Sequence, residues 1–342
     1  MRRLCKGGAD LACMFCGAEE NLTREHVFPA FMGGKLEVPD GSCKQCNGGF
    51  GKCEAALEAN TTLLLNMFGI KNRDGVIPNA RVAIGIRGID VDGLSGLRIG
   101  GGGEIKVSEK VVDMVDADGK PRRRGIFTKN SSAEKFIAKS KARGEQVTEI
   151  PAPGSPTLDA TFNFSLPFCL GFETRKVVAK IALAAIAYEL GISVALSPDF
   201  DRLRNARTAS TVQELPPVGF FCNADFMGAY ARTVQQHSVM CYLSAGRKKG
   251  WALVTLFGAL TYLVEVTENY SARESKSFSI FYDAALQKRF YPVVLADEQS
   301  LVVKVLAKST KFEDRAAIDA QWYPIMAAYC AEAGIPVSRS EG

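Results

Sequence analysis

The chain has 342 residues, 47% of them apolar and 23% charged, with 42 Lys and Arg against 37 Asp and Glu. That balance supplies ample material for buried cores and excludes a disordered chain, a collagen-like repeat and a coiled coil. The longest uncharged apolar run, Trp251 to Val264, falls short of the ~20 residues a membrane span needs and predicts a buried strand pair instead.

At the N-terminus, the basic stretch Met1 to Gly8 is followed by no apolar run of signal-peptide length, so a soluble, cytoplasmic protein without a membrane partner is expected. Six of the ten cysteines (Cys5, Cys13, Cys16, Cys43, Cys46 and Cys53) fall in the first 53 residues. Four of them form two C-x-x-C pairs, Cys13/Cys16 and Cys43/Cys46, separated by 26 residues. Each short loop lets two sulfurs reach one metal while backbone N–H groups ease the thiolate charge, and four thiolates leave no open position. The expected occupant is a structural zinc ion. Cys169, Cys222, Cys241 and Cys330 lie among apolar neighbours and read as small core residues.

The chain has two histidines. His26 sits between the cysteine pairs, directly after Glu25, and Asn47 follows the second pair; His237 has no such company and reads as structural or exposed. Glu54 to Met67 reads as a helix with Glu54 and Glu58 on a solvated face. Between residues 75 and 128, short β-type runs (Ala80 to Ile86, Leu97 to Ile99, Glu104 to Val107, Val111 to Val115) alternate with the hairpin turns Asp92-Gly93 and Asp118-Gly119. Gly100 to Gly103 lacks a following G-K-[ST] and reads as a flexible hairpin, not a phosphate loop.

Lys120 to Arg143 holds nine Lys or Arg against the single acid Glu134. A helix is expected from Ser131 to Arg143, with Ser132 as N-cap and Gly144 as its stop, so that Lys135, Lys139 and Arg143 share one stripe. With Arg122, Arg123 and Arg124 they are the candidate phosphate-backbone contacts, the alternative being a solvated face. Residues 151–156 read as a linker and Leu158 to Phe164 as a strand. A helix from Arg175 to Leu190, capped by Thr174 and ended by Gly191, is apolar nearly all round and should be central in a core. Strands follow at Val239 to Leu243, Ala252 to Leu256, Leu260 to Val266, Phe278 to Tyr282 and Leu301 to Val305, then a helical region from Glu313 to Ala333.

The order Cys13-x-x-Cys16, Glu25-His26, Cys43-x-x-Cys46-Asn47 resembles the HNH endonuclease family, in particular its bacterial zinc-knuckle members, over about residues 13 to 58. The resemblance implies a ββα-metal fold: a first strand carrying Glu25 and His26, a second near Leu36 to Val38, and a helix after Cys46 packed across both. It further implies that Glu25 and Asn47 hold a divalent ion, magnesium or another, and that His26 activates the attacking water. An imidazole titrates near neutrality and a positioned base supplies ~10²–10⁴ in rate, while carboxylate and amide oxygens suit magnesium.

The expected fold class is α+β: an N-terminal ββα-metal zinc-knuckle module (residues 1–68), a β-rich region ending in a basic helix (69–150) and a C-terminal region of helices and strands of unassigned role (151–342). The expected function is hydrolysis of phosphodiester bonds in nucleic acid, DNA in the first instance, with a bacterial anti-phage defence effector as one setting. In that setting the C-terminal region answers to a regulatory partner or signal; self-association is left open. The alternative is a zinc module that recognises nucleic acid or protein without cutting it.

Overall fold

A computed structural model describes residues 11–78, 80–82, 97–99, 105–107, 110–115, 118–127, 130–148, 171–221, 235–258, 260–291 and 327. The expected linker at 151–156, the strands at 158–164 and 301–305, the helix at 313–333, the Asp92-Gly93 turn and the four-glycine run lie outside these residues, apart from the helical residue 327. The fold is α+β. No helix among the described residues is long and apolar enough to cross a membrane.

The chain divides into two compact units: residues 1–61, 68–76 and 166–342 form one, and residues 62–67 and 77–165 form the other. These are not the expected boundaries, because the zinc-knuckle segment shares its unit with the C-terminal residues.

In the larger unit, strand β1 (Leu22–His26) pairs antiparallel with β2 (Glu37–Cys43), with an irregularity between Thr23 and Glu25. Helix α1 (Lys44–Met67) starts at the next residue. It begins before Glu54, where periodicity alone puts the start, and agrees with the helix after Cys46 that the family resemblance implies; Gly48, Gly49 and Gly51 lie within it despite their poor helix propensity. Phe50 and Leu57 turn its buried face inward.

Helix α3 (Phe172–Leu190) runs through the middle of this unit, with every residue from Val177 to Ala187 buried. It starts three residues before the expected boundary, with Gly171 at its N-cap, so Thr174 is an interior, buried residue and not the cap; Gly191 ends it as expected. The apolar content on all faces is explained by its neighbours. It packs on β2 and on strands β9, β10 and β11 of a six-stranded sheet. That sheet is antiparallel throughout, in the order β13 (Lys288–Phe290), β12 (Lys276–Asp283), β9 (Gln236–Ser244), β10 (Lys249–Leu256), β11 (Leu260–Thr267), β8 (Val218–Phe221). The run from Trp251 to Val264 is the β10–β11 hairpin, reversing where Phe257 and Gly258 both have positive φ.

The loop between β1 and β2 is docked on this sheet. Tyr282 of β12 donates its hydroxyl to the Gly33 carbonyl at 2.8 Å and accepts the Lys35 N–H at 2.9 Å. Phe28 stacks on the Tyr282 ring with centroids 5.6 Å apart. Gly34 is required there: a Cβ at that position would lie 1.9 Å from the Phe28 carbonyl oxygen.

The smaller unit holds a three-stranded sheet of β3 (Ala80–Val82), β4 (Leu97–Ile99) and β5 (Ile105–Val107). It also holds the hairpin of β6 (Lys110–Val115) and β7 (Pro121–Ile126), turning at Asp118-Gly119 with Gly119 at φ +78° as expected. Helix α2 (Asn130–Ala142) begins before the expected start, which places Ser132 inside it and not at its cap.

Candidate active site

Cys13 and Cys16 lie on a tight loop, held by the Gly17 N–H to the Cys13 carbonyl at 2.8 Å and by the Met14 N–H to the Gly41 carbonyl at 2.9 Å. Cys43 ends β2 and Cys46 lies in the first turn of α1. The four sulfurs lie within 4.8 Å of one another, and those of Cys16 and Cys43 are 3.8 Å apart. Four thiolates around one zinc at ~2.3 Å sit ~3.8 Å from each other, so the cage fits that ion. Burial pushes the Cys13 and Cys46 thiols up. Burial acts the same way on Cys43, but the Cys46 N–H and the neighbouring thiols outweigh it and bring that thiol down to about 7. Cys53 is buried on α1 outside the cage.

Glu25, on β1, is buried at 2% exposure. Its Oε1 lies 2.5 Å from the Lys180 ammonium of α3, which is also 2% exposed and bonds a second carboxylate, Glu54 of α1. Burial disfavours the Lys180 charge, but Glu25 and then Glu54 outweigh it and hold its pKa above the ordinary lysine value. Glu54 is therefore one of the two acids that hold a buried ammonium and not the solvated residue expected, while Glu58 is exposed as expected. Removing one partner of such a buried pair costs about 3–5 kcal/mol, because the other charge is left uncompensated. The second oxygen of Glu25, Oε2, is buried with no hydrogen-bond partner.

His26 is the cross-strand partner of Glu37. Successive side chains of a strand point to opposite faces, and the contacts follow that rule. Thr23 and Glu25 meet side chains of α1 and α3, whereas Arg24 and His26 both approach Glu37. The His26 Nε2 lies 3.7 Å from Glu37 Oε1 and 3.5 Å from an Arg73 guanidinium nitrogen, and its Nδ1 is buried without a partner. Burial lowers its pKa below the ordinary histidine value; Glu37 pulls upward and Lys180 downward. That shift favours the neutral imidazole, the form able to accept a proton.

Asn47 follows Cys46 on α1 and donates its amide to the Thr23 hydroxyl at 3.3 Å. The cysteine cage thus sits where β2 ends and α1 begins, fixing the helix that carries Asn47 and Glu54 beside the strand that carries Glu25 and His26. His237 is buried at 1% exposure and bonded on both nitrogens.

The basic candidates lie in the smaller unit. Arg122, Arg123 and Arg124 are on β7; Lys135 and Lys139 are exposed on α2; Arg143 follows that helix, 3.2 Å from Glu145. Sequence reading did not single out Lys180, Glu37 or Arg73. The signal for Lys180 was present: one lysine, in the middle of an otherwise apolar helix, must find a buried carboxylate.

A family model described as HNH endonuclease matches residues 13–60, the span that holds the cage, Glu25, His26 and Asn47. No curated protein and no solved structure matches the chain significantly. These residues are similar to that family, and their four cysteines form a cluster suited to zinc. The similarity suggests a nuclease, a hydrolase whose substrate is nucleic acid.

Proposed function

We propose that the protein is a divalent-metal-dependent endonuclease acting on DNA. The observation that carries the reading is Glu25 Oε2, a buried carboxylate oxygen without a partner in the span that matches the HNH family. Such an oxygen is costly unless a ligand meets it, while His26, whose Nδ1 is also unpartnered, lies on the other face of the strand, toward Glu37. The donor set fits the family's ion: Glu25 Oε2, with the Asn47 side chain, would hold a hard cation such as magnesium. When bound, that ion supplies neutralisation of the scissile phosphate and the departing 3′ oxygen.

His26 is the general base. Its neutral imidazole takes a proton from the attacking water, and Glu37 beside it stabilises the imidazolium that forms. The four-thiolate zinc is structural and holds β2 and α1 in register. Backbone contact is assigned to Arg122, Arg123, Arg124, Lys135, Lys139 and Arg143, because phosphate neutralisation supplies most sequence-independent affinity. A signal or partner acting on residues 151–342 would suit a defence effector.

The second reading, a zinc module that binds without cutting, is favoured by one contact, the Lys180 ammonium on Glu25 Oε1. Cleavage of supercoiled plasmid with magnesium decides between them. The nuclease reading expects cutting by the wild type and at least a ~10²-fold loss in His26→Ala, with zinc content unchanged. An inert wild type, or a His26→Ala variant that cuts as well, overturns it.

A further inference from the structure

We propose that Lys180 is a positioning residue for Glu25, holding Oε1 from the centre of the C-terminal core so that Oε2 alone is presented to a divalent cation. The proposal rests on the nuclease reading for the role of Glu25, and its own support is geometric. Lys180 is 2% exposed on a helix whose residues from Val177 to Ala187 are otherwise apolar, so an ammonium there is held by its two carboxylates and not by packing. Its Nζ is 2.5 Å from Glu25 Oε1, it also bonds Glu54, and the centroid of the Phe50 ring lies 6.0 Å away.

The groups that meet at Nζ come from three elements. Glu25 is on β1, Glu54 and Phe50 are on α1, and the lysine itself is on α3, which is backed by β9, β10 and β11. A contact anchored in this way confines the carboxylate to one rotamer, as a preorganised ligand requires. The charge count points the same way. Two carboxylates and one ammonium leave a net charge of −1, and the oxygen carrying it without a partner is Glu25 Oε2.

The test uses the full-length zinc-loaded chain and the double variant Lys180→Met/Glu54→Gln. This variant removes one charge of each sign, keeps the net charge at −1 and leaves no second acid beside Glu25. A change in cation affinity that persists at pH values where affinity no longer varies with pH, so that Glu25 is ionised in both proteins, then reports orientation and not charge. Mn²⁺ binding, followed by the electron paramagnetic resonance signal of the free ion, is expected to weaken at least tenfold, with zinc content retained. Mn²⁺ affinity equal to wild type overturns the proposal.

Because loss of the buried ion pair costs the variant stability, the wild type carries a second measurement, the ¹⁵N-resolved signal of the Lys180 ammonium during a Mg²⁺ titration. A positioning lysine stays in place, and its signal persists with a shift as the ion binds. Exchange broadening to the solvent lysine position would show displacement of Lys180 by the ion and would overturn the proposal. Both readouts are independent of cleavage. A protein that binds Mn²⁺ in the expected manner and leaves plasmid intact would sink the nuclease reading while the assignment of Lys180 stands.

Discussion

The Nε2 of His237 lies 3.2 Å from the carbonyl oxygen of Met32, joining β9 to the loop between β1 and β2. Its Nδ1 accepts the Phe257 N–H at 3.1 Å, so Nε2 carries the hydrogen and donates it to Met32. Both nitrogens of a fully buried ring are thereby satisfied in the neutral form, and the ring packs 5.5 Å from Phe28 and 5.4 Å from Phe257.

That arrangement sets a pH dependence. Burial is the largest influence on His237 and lowers its pKa to about 4, with the Met32 carbonyl and Asp283 opposing it. The unfolded chain takes up a proton near pH 6.5 and the folded chain only near 4, so between those values the unfolded state binds more protons and stability falls as the pH falls. At about 1.4 kcal/mol per unit the loss reaches about 3 kcal/mol by pH 4 and then levels off. Denaturant melts at stepped pH values should show this slope in the wild type and a flatter profile in His237→Gln.

Removal of one cage sulfur should unfold the knuckle. Structural zinc contributes about 10–16 kcal/mol of binding free energy to segments of this kind, and the burial-raised thiols of Cys13 and Cys46 will not ionise in the empty cage near neutral pH. Cys46→Ser is expected to carry no zinc by atomic absorption and to become cleavable by protease within residues 11–50. A variant with one zinc per chain and wild-type protease resistance would contradict the four-cysteine assignment.

On α2, Lys135 and Lys139 are exposed and one turn apart. If both neutralise phosphates, Lys135→Ala/Lys139→Ala should weaken DNA binding uniformly across sequences. It should also reduce the slope of log K against log salt by about 2, near 0.9 per contact. An unchanged slope, measured by fluorescence anisotropy between low and moderate salt, would assign that stripe to solvent.

What could be read from the sequence follows the range over which each signal acts. The knuckles, the Glu25-His26 strand and the helix behind Asn47 are encoded within about fifty residues, in spacings short enough for one ion or one hairpin to enforce. The β10–β11 hairpin was likewise legible as a long apolar run with a glycine near its middle. The partnership of Glu25 with Lys180 was not, because it joins residues 155 positions apart and depends on how α3 lies against β2. The strand order of the large sheet was equally hidden. β9 is flanked by β10 and by β12, and nothing local distinguishes that pairing from a simple run of hairpins. The starts of α2 and α3 were misplaced because a hydroxyl residue suggests a cap wherever it precedes a helical stretch, whereas at α3 the actual boundary is the glycine Gly171.

The seating of the Gly33–Lys35 turn on Tyr282 means that the cysteine-knuckle segment is not a detachable cartridge. Severed after α1, it would bare Phe28, Met32 and Val38 and strand two acids without the cation that reconciles them. Grafted onto another scaffold, those first residues would leave behind the surface that covers them.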